Sequence, residues 1–226
     1  MSNPDIGQAE RAAEDRARRE VLDTALAMSR RGLSPGRSGN VSRRFRDGML
    51  ITPSGQTYAS IMPADIVFVG DDGGVAPGQK KPSTEWRFHL AAYRARADMG
   101  GIVHTHSTHA TVLACAGKSI PAFHYMVAVA GGNDIPIIPY ATFGSKELAR
   151  LVAKGLRDRD ACLMSNHGQI AIGETCARAL DLAAEVENLA EQYFKVLCLG
   201  EPILLDEDAM EKVLEQFGTY GQQEHQ

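Results

Sequence analysis

Apolar residues recur along the chain with two different periods, and these divide it into helices and strands. Between residues 8 and 32, Val21, Leu22, Ala25 and Leu26 fall at helical spacing, and Gly32 closes the segment. Residues 49–52 and 65–69 are short apolar runs bounded by Pro53-Ser54-Gly55 and Gly70-Asp71-Asp72-Gly73-Gly74, which predicts strands. The polar, glycine-bearing stretch 37–42 reads as a turn. Lys81-Pro82-Ser83-Thr84 supplies a helix start, and Phe88, Ala91, Ala92 and Ala95 follow as its buried stripe. Downstream, the pattern predicts a strand over 101–106, a helix over 107–117, extended chain over 122–130 and 135–140, and a helix over 145–156. Residues 161–165 and 169–173 read as the two arms of a hairpin around Asn166-His167-Gly168. A long helix over 175–199 and a shorter one over 206–217 complete the set. Strands and helices are mixed, and the hairpin joints point to an α/β fold. A single domain with a central, mainly antiparallel sheet flanked by helical layers is expected.

Composition narrows this picture by exclusion. The 226 residues suffice for one sizeable core, and no repeat, low-complexity tract or linker divides them. A net charge of -4 makes no case for a nucleic-acid partner. No apolar run reaches the ~18 residues of a membrane helix, and the charged N-terminus lacks an apolar signal core, so no membrane partner and a cytoplasmic location are expected. Cys115, Cys162, Cys176 and Cys198 form no CxxC pair and sit among apolar residues, which reads as buried free thiols. A metal site would have to come from other side chains.

Three groups of residues could carry chemistry. In a strand, residues i and i+2 share a face, so His104 and His106 would present two imidazoles side by side, half of a zinc site. By itself the pair reads more simply as two histidines on a polar strand face. His167 adds a third imidazole at the hairpin tip, where Gly168 permits a left-handed turn and close approach of backbone to a ligand. Glu85 alone reads as a helix-dipole or capping carboxylate. Taken together, three histidines and one carboxylate complete a four-coordinate site able to act as a Lewis acid. A second feature is a distributed anion cradle: Ser38-Gly39-Asn40, Thr52-Pro53-Ser54-Gly55 and Ser83-Thr84, the last pair at a helix N-terminus. Each loop alone is an ordinary turn or cap. His89, His109 and His124 read as structural, with His89 on the helical face of Glu85, and Trp86 reads as core.

The order of these motifs is distinctive. Ser38-Gly-Asn-Val-Ser, Ile51-Thr-Pro-Ser-Gly, Lys81-Pro-Ser-Thr-Glu, His104-Thr-His-Ser-Thr-His-Ala and Asn166-His-Gly occur in sequence. Together they resemble the class II aldolase/adducin family. The segments from Phe123 to Asn133 and Ile135 to Gly144, with Phe217-Gly-Thr-Tyr-Gly, are most similar to its L-fuculose-1-phosphate aldolase branch. The resemblance covers residues 15–222 and leaves 1–14 as an N-terminal extension. It implies one zinc ion per chain on His104, His106 and His167, with Glu85 as fourth ligand. It also implies a phosphate site from Asn40, Ser54, Gly55, Ser83 and Thr84. The family often has Thr and Ser where this chain has Ser54 and Thr84, and both keep the hydroxyl. Tyr125 matches a proton-transferring tyrosine, and Phe143 and Tyr220 match residues on the aldehyde side. A homotetramer with sites between neighbouring subunits is implied as well.

The implied reaction is cleavage of a ketose 1-phosphate to dihydroxyacetone phosphate and an aldehyde through a metal-stabilised enediolate. Glu85 would serve C3 and Tyr125 the C4 hydroxyl. L-Fuculose 1-phosphate and 5-deoxy- or 5-methylthio-pentulose 1-phosphates share every group these motifs would bind. A pentulose 5-phosphate 4-epimerase is the nearest alternative. Epimerases of the family carry an acidic residue in a His-Ala-Asp-Tyr-like segment where this chain has His124-Tyr125-Met126, which favours the aldolase. A non-catalytic adducin-like module is disfavoured because all three histidines, Glu85 and Tyr125 are present.

Overall fold

The structure, a computed structural model, describes residues 4–219. Apart from β1, its strands are short and largely apolar, which is what a sheet buried between two helical layers requires. Seven strands form that sheet: β1 (Asn40–Phe45), β2 (Gly48–Ile51), β3 (Val67–Gly70), β4 (Gly101–Thr105), β5 (Ile137–Ile138), β6 (Ala161–Met164) and β7 (Gly168–Gly173). Their order is β3-β2-β1-β4-β7-β6-β5. Every neighbouring pair is antiparallel except β5–β6. The mainly antiparallel α/β sheet expected from the sequence is therefore present.

Side-chain alternation sorts the core into two layers. Val41, Leu50, Val103, Leu163 and Ala171 face one side. There they meet α1 (Pro4–Arg30), α3 (Thr108–Cys115) and α5 (Cys176–Leu199) through Val21, Ala25, Leu113, Ala183 and Val186. Met49, Ile51, Ile102, Met164, Ile170 and Ile172 face the other side. There they meet α2 (Trp86–Ala95) and α4 (Lys146–Gly155) through Phe88, Leu90, Leu148 and Val152. Each fully buried Leu, Ile, Val or Phe contributes about 1.5–3 kcal/mol, so both layers hold the sheet. A last helix, α6 (Glu207–Thr219), packs Met210 against Ala122 and Ala128.

Several expectations are corrected. Residues 40–42 are not part of a turn: they begin β1, pairing with both β2 and β4. Residues 125–130 are not extended but form a 3-10 turn, opened by a Met126 N–H donating to His124 Nδ1 at 3.1 Å and closed by Gly131 at φ 80°. Over 135–140, only Ile137 and Ile138 pair in the sheet. The first helix runs from Pro4 to Arg30 and so begins four residues before the expected start at residue 8. Cys162 and Cys176 are buried, but Cys115 and Cys198 are exposed because they fall on the outer faces of α3 and α5.

Two glycines let the loops close on the sheet. Gly39 has φ 78°, and a Cβ there would lie 2.6 Å from the His104 carbonyl oxygen. Gly168 is not left-handed; Asn166, at φ 55°, takes that role in the hairpin loop. Gly168 is instead required by space, because a Cβ would lie 2.4 Å from the Thr105 carbonyl oxygen. Gly78, at φ 87°, faces open space. Gly39→Ala should therefore cost the ~1–2 kcal/mol of a left-handed alanine plus about 1–3 kcal/mol of overpacking. Gly78→Ala should cost only the first part. Urea unfolding of the two variants compares them, and equal losses would contradict the close approach of this loop to β4.

Candidate metal and anion site

The register of the sheet assembles the site. Asn40 pairs with His104 across β1–β4, so both side chains project from the same face, toward α2. His104 pairs with Ile170 across β4–β7, which brings the β6–β7 hairpin tip, and His167 on it, beside the end of β4. His106 lies just past that end. Glu85 is the residue before α2. It does not cap the helix; Ser83 Oγ accepts from its backbone N–H at 3.3 Å, and the carboxylate turns toward the histidines.

Four side chains converge there. The rings of His104, His106 and His167 form a near-equilateral triangle with centroid separations of 4.9, 4.9 and 5.0 Å. Glu85 Oε2 lies 3.2 Å from His104 Nε2, and Oε1 lies 3.0 Å from His167 Nε2. The Nε2 atoms of His104 and His106 are 3.0 Å apart. His104 is fully buried and held by Phe88, which meets it edge-on. Its Nδ1 donates to the Gln169 carbonyl oxygen at 2.7 Å. A carbonyl can only accept, so Nδ1 carries a hydrogen, and Nε2 is the ring atom turned inward toward Glu85 and His106. Gln169 is itself fixed, its amide donating to Ser107 Oγ and to the Ala183 carbonyl, both at 2.9 Å.

Electrostatics reinforce this arrangement. Burial opposes ionisation of Glu85, yet His104 and His167 beside it outweigh that and hold its carboxyl well below the usual carboxylate range. Burial, with His104 and His167 nearby, pushes the His106 imidazole down to about 3. At neutral pH, His106 is then an uncharged donor and Glu85 an anion. Buried Glu85 Oε1 has no hydrogen-bond partner. Four ligand atoms, all within 4.8 Å of one another, are placed to share one cation. The donor set, three imidazoles and a carboxylate, fits a divalent metal of the zinc type.

Beside this cluster opens a cavity of about 330 Å³. Its walls include Asn40, Ser54, Gly55, Ser83, Thr84 and Glu85, with His106 and His167 at one end. The two hydroxyl loops meet because Ser54 N–H donates to the Lys81 carbonyl at 2.9 Å and Ser83 N–H to the Thr52 carbonyl at 3.0 Å. Phe143, 65% exposed, sits at the rim. The cavity also takes in Arg37, Tyr58 and Tyr140, which sequence reasoning did not assign to a site. Arg37, whose guanidinium donates to the Gly55 carbonyl at 3.1 Å, is the one Lys or Arg side chain among these walls. Its signal was the motif itself, since it directly precedes Ser38-Gly39-Asn40. Tyr125 is not brought to this cavity. It is 51% exposed, stacked on His124, beside a groove lined by Val213, Gln216 and Phe217 of α6. Tyr220 lies outside the described residues.

This fold and site define a class of protein, and comparison with known proteins agrees. Residues 19–194 match the model of the Class II Aldolase and Adducin N-terminal domain. The chain belongs to that family. It is 52% identical over 204 residues to the 5-methylthioribulose-1-phosphate/5-deoxyribulose-1-phosphate aldolase of Rhodospirillum rubrum, covering 90% of this chain and 92% of the relative. It is 48% identical over 204 residues to the L-fuculose phosphate aldolase of Escherichia coli K12, covering 90% and 94%. A solved structure of an L-fuculose 1-phosphate aldolase superposes with a TM-score of 0.86 at 37% identity, covering 96% of this chain and 98% of that one. With this kinship and the His/Glu cluster in place, the protein is a class II aldolase, a lyase.

The geometry makes a direct prediction about metal. The purified protein should hold about one divalent metal per chain, as a four-ligand site does. His104→Ala and His167→Ala should each lose most of it in elemental analysis. Metal at the wild-type level in both variants would show that the ion is held elsewhere.

Proposed function

We propose that this aldolase cleaves a ketose 1-phosphate to dihydroxyacetone phosphate and an aldehyde, with zinc at the His104–His106–His167–Glu85 cluster. L-Fuculose 1-phosphate and 5-deoxy- or 5-methylthio-pentulose 1-phosphates are the candidate substrates, as the names of the two relatives suggest. One observation carries the reading: a cluster of metal-ligand type and a hydroxyl- and amide-lined anion cradle share one cavity, joined through Asn40. We further propose that it works in the cytoplasm as a homotetramer.

Each group then has a task. Asn40, Ser54, Gly55, Ser83 and Thr84 would bind the C1 phosphate, and Arg37 would add a positive charge to an otherwise neutral cradle. Holding that end fixes the orientation of the C3–C4 bond and lowers the entropic part of the barrier. A divalent metal supplies Lewis-acid stabilisation of the negative charge that develops on the substrate's oxygen. As the C3–C4 bond breaks, Tyr125 would take the proton of the C4 hydroxyl and C4 leaves as the aldehyde carbon. C3 would be protonated through Glu85, whose carboxylate, ionised at rest, must first gain a proton, so that the one lost from the C4 hydroxyl is matched by the one gained at C3. In synthesis the ionised carboxylate would remove that proton. Tyr125 lies outside its own chain's cavity, so we assign it to the site of a neighbouring copy, with Phe143 and Tyr220 lining the aldehyde side.

Rates on the three sugar phosphates, each with release of dihydroxyacetone phosphate followed directly, test the reading; no cleavage of any of them would refute it. Two variants separate the half-reactions. Glu85→Gln should fail to exchange the dihydroxyacetone phosphate proton for deuterium when no aldehyde is present. Tyr125→Phe should keep that exchange and lose cleavage about 100-fold or more, a general acid–base contribution. Exchange at the normal rate in Glu85→Gln, or normal cleavage in Tyr125→Phe, would remove that residue from its role.

A further inference from the structure

Behind the cavity, a line of buried polar side chains runs from α2 through β1 to Glu85. Tyr93 Oη lies 3.0 Å from Ser42 Oγ, and Ser42 Oγ lies 2.7 Å from His89 Nδ1. His89 Nε2 lies 2.5 Å from Asn40 Oδ1, and Asn40 Nδ2 donates to Glu85 Oε2 at 2.9 Å. Ser42 and His89 are fully buried; Asn40 and Tyr93 are 3% exposed. Of the four, only Asn40 reaches the cavity wall.

The direction of every bond in this line follows from its ends. A carboxylate only accepts, so the amide nitrogen of Asn40 must face Glu85 and its oxygen must face His89. That oxygen also only accepts, so His89 carries its hydrogen on Nε2. Burial, with His104 nearby, pushes the His89 imidazole down to about 3, which leaves Nδ1 a bare acceptor. Ser42 therefore donates to Nδ1, and its oxygen accepts from Tyr93. All four donors point toward Glu85. Such a line is costly to bury unless every member is satisfied, and then it holds one arrangement rigidly.

We propose that His89 is a positioning residue. By donating to Asn40 Oδ1, it prevents the amide from turning over. It thereby keeps the Asn40 N–H group against Glu85 and at the anion cradle. Without that bond, the amide could present its oxygen to the carboxylate, setting two acceptors against each other. His89 would then control both the pose of a metal-ligating carboxylate and one donor of the phosphate site, though it touches neither ligand. This rests on the metal-and-anion reading of the cavity.

The test compares His89→Leu, His89→Gln and Ser42→Ala in the full chain. Zinc affinity is read by competition with a chromophoric chelator, and inorganic phosphate binding by calorimetry. Loss of a group that orients a metal ligand typically lowers metal affinity about 10–100-fold, and His89→Leu should show that loss and weaker phosphate binding. His89→Gln, whose amide nitrogen reaches the place of Nε2, should recover most of both. Ser42→Ala frees Nδ1 to take the hydrogen and should fall between them. If His89→Leu does not fold, the contrast between Ser42→Ala and His89→Gln carries the test. Wild-type affinities in every folded variant would overturn the proposal, and so would a His89→Gln as weak as His89→Leu, which would mark a packing role. A wild-type chain that binds neither zinc nor phosphate would sink the reading of the cavity itself.

Discussion

Four lone pairs converge on one point in this molecule, and most of the structure is arranged to hold them there. Three imidazoles and a carboxylate are crowded to about 3 Å of one another. The arrangement persists because each member is held from behind. The Gln169 carbonyl fixes the hydrogen of His104 on the outer nitrogen. The backbone contact at Gly168 brings the hairpin tip, and with it His167, against the end of β4. Asn40 secures Glu85. A divalent cation would draw the same four groups onto one point, and the fold already holds the geometry that such an ion would need.

The sheet register transmits this constraint to the second half of the site. Asn40 and His104 are paired neighbours on one face, and the Thr52–Gly55 loop follows directly from β2, the other partner of β1. Two backbone hydrogen bonds then join that loop to the segment leading into α2. The anion cradle is thus built from the ends of three adjoining elements, and a slip of one residue in β1 would turn Asn40 away from both halves at once. On the proposed function, this register is what would let one cavity take a phosphate at one end and a metal at the other.

Much of the fold was legible in the sequence because its signals are local. The helices over 145–156 and 175–199 carry clear periodicity, and a hairpin was expected around Asn166-His167-Gly168. Strand β1 was not legible, for a functional reason. Its site-facing residues, Asn40 and Ser42, are polar, so the alternation that marks a strand looked like a polar turn. The apolar run at 122–130 misled in the opposite way, since short apolar segments do not distinguish extended chain from a tight helical turn. Among the site residues, the four metal-type side chains could be gathered from motif order and strand spacing. Arg37 adjoins one of those motifs, but the contribution of Tyr58 could not be gathered, because it depends on how loops fold over one another. The line Tyr93–Ser42–His89–Asn40 was likewise invisible, since its members meet only once β1 lies under α2.

The central claim is that one ion lies at the meeting point of these four groups, in the same cavity as an anion site. Crystallographic anomalous scattering at the zinc edge, from the protein with bound inorganic phosphate, addresses it most directly. The account predicts one strong peak per chain, about 2.0–2.1 Å from Nε2 of His104, His106 and His167, with the phosphate held by Asn40, Ser54, Ser83 and Thr84. A peak on other ligands, or a phosphate bound outside this cavity, would contradict it.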